Sequence, residues 1–137
     1  MKRVLVLCTG NACRSQMAEG WLRDFAGPRA EIFSAGIVAS GLNPKAVAVM
    51  HESGIDISRH TSKIVDSLLQ KEFDFVVTVC DNAKEHCPYF PAATKQFHQN
   101  FVDPTWAVGT PEEIMNAYRD TRDKLKAYCE DFVREHL

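Results

Sequence analysis

Five thiols and one well-placed guanidinium are the groups in this sequence able to do chemistry at neutral pH. The stretch Cys8-Thr9-Gly10-Asn11-Ala12-Cys13-Arg14-Ser15 sets a thiol and a guanidinium five intervening residues apart. If the chain between them curls, its backbone N–H groups converge on a point above the sulfur while Arg14 clamps the side in fork geometry, an arrangement that suits a tetrahedral oxyanion. Thr9, Gly10, Asn11, Ala12, Cys13, Arg14 and Ser15 are therefore the expected oxyanion-binding set. Cys8 is the expected nucleophile, because a helix N-terminus, ringed amides and Arg14 all favour its thiolate and Ser15 can donate a hydrogen bond to the sulfur. Asn11 can pin the loop through its side chain and tolerates a left-handed backbone.

The flanking residues dictate how such a loop is held. Arg3 to Leu7 is an apolar run short enough for a buried strand, and Met17, Ala18, Trp21, Leu22 and Phe25 recur at helical spacing. The octapeptide is thus a strand-to-helix loop at the positive end of a helix, where anions bind.

Further strands are expected at Glu31–Ser34, at Phe73–Val79 and, weakly, at Lys95–Phe101. Asn43 with Pro44 opens a helix that Gly54 stops, Thr61 or Ser62 is expected to cap another running to about Lys71, and Thr110-Pro111-Glu112-Glu113 opens a long final helix. The alternation predicts an α/β fold: one domain over residues 1–137, with a central parallel four-stranded sheet, helices on both faces and the oxyanion loop after the first strand. Ligands of such sheets bind beyond the carboxyl ends of the strands, where Cys8 and Cys80 both fall.

At 137 residues with 45% hydrophobic and 25% charged side chains, the chain can bury a sizeable core without disulfides. A net charge of −2 gives no reason to expect nucleic acid, and no run is long enough for a signal sequence or a membrane span. The expectation is a cytoplasmic monomer without a cofactor. Five cysteines, an odd number, then point to reactive thiols in preference to structural disulfides.

Cys80 and Cys87 are seven residues apart, with no matching ligand pair for a metal site. If the segment between them is helical, their α-carbons stand about 10 Å apart, too far for a disulfide unless the helix unwinds. They are either a labile pair or two unrelated cysteines. Asp103, followed by Pro104, is either a proton donor placed over the site or ordinary turn punctuation. Cys13 could pair with Cys8 or pack on the sheet, Cys129 reads as packing, and the histidines show no ligand spacing.

The run Cys8 to Glu19, CTGNACRSQMAE, resembles the active-site loop shared by low-molecular-weight tyrosine phosphatases and thioredoxin-coupled arsenate reductases. Ser34-Ala35-Gly36, Asn43-Pro44-Lys45-Ala46, His60-Thr61-Ser62, Val77-Thr78-Val79-Cys80 and Cys87-Pro88 look like the reductases, so the resemblance spans nearly the whole chain. It implies that Cys8, Cys80 and Cys87 form a thiol relay that reduces arsenate to arsenite, with phosphate and sulfate as analogues of the substrate. Arg14 would clamp the anion, Asp103 would protonate the departing oxygen and thioredoxin would reduce the final disulfide. Aryl-phosphate hydrolysis is the alternative, and a non-enzymatic thiol-based arsenite or zinc binder a third. Some members of the reductase group hold potassium beside the loop through an acidic residue where this chain has Lys63, so no metal is expected. Thr105 and a single Trp106 follow the Asp-Pro pair, a poor grip for phosphotyrosine.

Overall fold

The computed structural model describes residues 1–137. Strand β1 (Lys2–Cys8) is central, pairing in parallel with β2 (Ala30–Gly36) on one side and β3 (Phe75–Thr78) on the other. Strand β4 (Lys95–His98) adds in parallel to β3, giving the order β2-β1-β3-β4. Being covered on both faces, β1 is apolar without alternation: Val4, Leu5, Val6 and Leu7 are all fully buried. Each such side chain contributes about 1.5–3 kcal/mol by leaving water.

Three helices pack on one another, α1 (Arg14–Ala26), α2 (Pro44–Glu52) and α4 (Pro111–His136), with α1 also against β1 and β2. The side chain of Asn43 caps α2 by accepting from Lys45 N and Ala46 N. Thr110 and Glu113 close the expected capping box on α4. On the α4 side Phe75, Phe97 and Phe132 stack edge to face, while Phe33 of β2 meets Phe73, and Phe73 meets Phe90. A short helix, α3 (Asp81–Glu85), directly follows Cys80.

The helix expected from Thr61 or Ser62 to Lys71 does not form. Only Val65–Leu68 makes a 3-10 turn, and Ile64 and Leu69 are exposed. The cause is competition from the loop. Thr61 O accepts from Gln16, Ser62 Oγ donates to Gly10 O, Lys63 N donates to Asn11 Oδ1 and Lys63 O accepts from Gly36 N. Ile64 then bridges to Gly36 beside β2. These bonds hold residues 61–64 extended, and a helix there would forfeit them.

Gly36 ends β2 where no other residue fits. A Cβ there would overlap Val38 O and press on Asn11 N and Thr9 O. That close approach lets the chain after β2 accompany the loop, with Ile37 N, Val38 N and Ser40 N donating to Cys8 O, Thr9 O and Gly10 O.

Candidate active site

The octapeptide is the strand-to-helix loop the sequence predicts, and it wraps a cleft of about 250 Å³. Thr9, Gly10, Ala12, Cys13 and Arg14 line the cleft together with Cys8, while Ser40, Asp103 and Thr105 close it from outside. Asn11 and Ser15 are fully buried behind it. Helix α1 has no side-chain cap, so its first N–H groups remain available to an anion in the cleft.

Asn11 takes the left-handed conformation, with φ of 49°. Its side chain bonds not to the loop's own backbone but to one side chain at the loop's end and two distant groups. The amide donates to Ser15 Oγ at 2.8 Å and Ser34 Oγ at 2.9 Å, and Oδ1 accepts from Lys63 N at 2.9 Å. Because Lys63 N can only donate, the amide has one possible orientation. Ser15 Oγ therefore accepts from Asn11, and its own hydrogen is free for Cys8 Sγ, 2.8 Å away. Cys8 is only 3% exposed, with that hydroxyl set against its sulfur.

Arg14 is held in place by Phe101 O, to which Nη1 donates at 3.0 Å, and by Asp103, whose Oδ2 lies 3.4 Å from Nη2. The other carboxylate oxygen of Asp103 accepts from both Thr105 N and Thr105 Oγ1. Asp103 is thus both the turn residue and a cleft residue, and the two sequence readings describe one side chain.

Neither Cys80 nor Cys87 lines the cleft. Cys80 ends the chain's passage along β3, is 3% exposed, and its Sγ lies 3.3 Å from Thr9 Oγ1, so one loop residue joins it to the rim. Cys87 lies beyond α3, half-buried, and burial pushes its thiol pKa up. All five cysteines are free. Cys13 lies in the loop with its thiol pushed up to about 12, first by burial and then by Asp103 and Cys8. Cys129 is buried against α1, as a packing residue should be.

Four positioning residues do not stand out in the sequence by charge or spacing. Gln16 Nε2 donates to Asn11 O and Thr61 O, and Gln16 Oε1 meets His60 Nδ1. Ser34 Oγ donates to the buried Glu19, which also meets Arg23 and lies 3.7 Å from His60. The available signal was a polar side chain at an inward position: Ser34 alternates with Phe33 and Ala35 on a strand, and Gln16 sits next to the loop. Glu19 already pairs with Arg23 at 2.8 Å, and its charge acts on the Lys63 ammonium, whose pKa burial lowers against the pull of Glu19, so these residues do not fit a bound potassium ion. No group of three or more His, Cys, Asp or Glu side chains is placed to hold a metal.

A thiol, an arginine and an aspartate gathered in one cleft at a strand-to-helix loop are the makings of an anion-binding nucleophilic site. The match is to the low molecular weight phosphotyrosine protein phosphatases: residues 3–137 fit that family, and the chain belongs to it. Among its relatives, the arsenate reductase of Bacillus subtilis (strain 168) is 47% identical over 132 residues, 96% of this chain and 95% of that protein. Arsenate reductase 2 of Staphylococcus epidermidis (strain ATCC 35984) is 43% identical over 131 residues, again 96% and 95%. Among solved structures, an arsenate reductase in the oxidized state superposes with a TM-score of 0.86 at 27% identity, covering 98% of both chains. A low molecular weight protein tyrosine phosphatase from T. tengcongensis gives 0.82 at 30% identity, over 98% of this chain and 99% of that one.

Proposed function

We propose that this protein reduces arsenate to arsenite through Cys8, Cys80 and Cys87. The observation that carries the reading is the contact between Thr9 Oγ1 and Cys80 Sγ, which sets a second buried thiol against the rim of an oxyanion cradle. Hydrolysis needs no such group. The curated relatives named arsenate reductase, at 43–47% identity, support the same reading.

In the first step the Cys8 thiolate attacks arsenic(V) held by the loop amides and Arg14, and an arsenate oxygen leaves as water with a proton from Asp103. Asp103 lies 3.4 Å from Arg14, which sets its carboxyl beside the anion that Arg14 clamps. The Cys80 thiolate then attacks Cys8 Sγ. The sulfur–arsenic bond breaks, its electron pair stays on arsenic, and arsenite departs. Cys87 attacks Cys80, which frees Cys8 and leaves a Cys80–Cys87 disulfide. Two thiols are oxidised for each arsenic reduced. Helix α3 must open for the last exchange, which carries the disulfide outward to a dithiol protein of the thioredoxin type. Residues 1–137 act as one unit, as a monomer in the cytoplasm, where thiols are kept reduced.

The alternative is phosphate-ester hydrolysis, favoured by the family as a whole and by a cleft that would hold phosphate equally well. Coupled NADPH consumption with thioredoxin and thioredoxin reductase, with and without arsenate, tests the proposal. Arsenate-dependent consumption that disappears in Cys80→Ser, with any aryl-phosphate hydrolysis retained, is the expected result. Unchanged arsenate turnover in Cys80→Ser would sink the relay. Stoichiometric zinc or arsenite binding without turnover would favour the thiol-binder reading instead.

A further inference from the structure

Cys80 carries the same three-part hydrogen-bond chain as Cys8, made from different residues. At Cys8 it runs from an asparagine amide to a hydroxyl to the sulfur: Asn11 Nδ2 to Ser15 Oγ, then to Cys8 Sγ. At Cys80 it runs from Asn82 Nδ2 to Thr9 Oγ1 at 3.0 Å, then to Cys80 Sγ at 3.3 Å. Ala83 N also donates to that sulfur, at 3.4 Å. A thiolate has no hydrogen to give, so against a charged Cys80 the Thr9 hydroxyl must donate. Its lone pairs then face the Asn82 amide. With Asn82 donating, both bonds run in one direction, towards the sulfur.

We propose that Asn82 is a positioning residue for the second step of the reaction: by donating to Thr9 Oγ1 it turns that hydroxyl towards Cys80 and holds the sulfur in its attacking form. The inference rests on the relay reading, since only a relay needs Cys80 as a nucleophile. It also gives Asn82 a stage-dependent role. Asn11 is fully buried and held from both sides, whereas Asn82 is exposed on the first turn of α3. That turn belongs to the segment that must open before Cys87 can reach Cys80. Opening withdraws Asn82 and Ala83 together, at the stage when Cys80 is disulfide-bonded to Cys8 and has no charge left to stabilise. The donors are thus present when Cys80 attacks and absent once it is to be attacked.

The charged groups on the same turn are Asp81, paired with His98 Nε2 of β4 at 2.7 Å, and Lys84. Both stay unchanged in the variants compared. The test is a pH titration of the thiolate ultraviolet absorbance of Cys80 in a Cys8→Ser, Cys13→Ser, Cys87→Ser background, which leaves Cys80 and the buried Cys129. Asn82→Ala and Thr9→Val should each raise the Cys80 midpoint by about one pH unit, the scale of a lost hydrogen bond to the charged form. Together they should raise it no further than the larger single change, because both break one chain. Asn82→Asp keeps the side chain's size and suits a first helical turn, but presents an acceptor to Thr9. It should raise the midpoint more with Thr9 present than in the Thr9→Val background. An unmoved midpoint in Asn82→Ala, or shifts that add in the double variant, would overturn the proposal, as would an Asn82→Asp shift independent of Thr9. The titrated background cannot turn over, so this outcome is separate from the reductase reading, which Cys80→Ser tests.

Discussion

Ser15 Oγ lies 2.8 Å from Cys8 Sγ and accepts from Asn11, which leaves its own hydrogen free, and against a thiolate, which has no hydrogen to give, it is the hydroxyl that donates. Hydrogen bonds to a charged partner are worth about 1.5–3 kcal/mol. Ser15→Ala should therefore lower the rate of Cys8 alkylation at neutral pH by about ten- to a hundredfold and move its pH dependence upward, with the cleft otherwise intact. Alkylation rates against pH check this, and an unshifted profile would contradict the donor assignment.

Asn11 supports that serine and the shape of the loop together. Asn11→Ala removes three buried bonds and places an alanine at φ of 49°, so unfolding free energy should fall by about 3 kcal/mol in urea titration. Asn11→Gly relieves the backbone and should lose less. Equal losses would mean that the backbone conformation is irrelevant to the cost.

Asp103→Asn keeps the size of the side chain that caps Thr105 but cannot deliver a proton. Arsenate turnover should drop by about a hundred- to ten-thousandfold, the range of general acid catalysis. Phosphate should bind at least as well, because a carboxylate facing the anion is gone. Isothermal titration with phosphate separates the two effects; weaker phosphate binding would make Asp103 an anion-site prop.

Two buried thiols and the half-buried Tyr128 set the alkaline limit of the fold. Burial pushes Cys13 and Tyr128 up to about 12 and Cys129 further still. A group whose folded pKa is raised keeps its proton longer in the folded state, so the stability it contributes is fully present below the unfolded pKa and is lost as pH rises towards the folded one. Unfolding free energy should fall steadily from about pH 9 upward, the ordinary thiol range. Cys129→Ala should be less stable at pH 7 but show a shallower decline. The measurement is urea denaturation across that pH range.

The sequence exposes the parts of this fold whose cause is local. The loop, its flanking strand and helix, the N-cap at Asn43, the capping box at Thr110 and the burial of Cys129 all follow from residue types at fixed spacings. The failed helix after Thr61 shows where that stops: Ile64, Val65, Leu68 and Leu69 have helical spacing, but partners more than 25 residues away in sequence, Gly10, Asn11, Gln16 and Gly36, hold 61–64 extended. The segment after Cys80 fails in the opposite sense. It has few apolar residues to hold it, yet Asp81 and Asn82 tie its first turn to His98, Asn100 and Thr9 through polar bonds that no apolar pattern reveals. Both cases turn on long-range polar contacts.

The most direct measurement of the central claim is a single turnover of fully reduced protein with arsenate and no external reductant. Arsenite is quantified after an acid quench, and the disulfides are mapped by mass spectrometry. The relay predicts stoichiometric arsenite and a Cys80–Cys87 bond in the wild type, and a trapped Cys8–Cys80 bond in Cys87→Ser. Absence of arsenite, or its release with Cys80 and Cys87 still reduced, would contradict it.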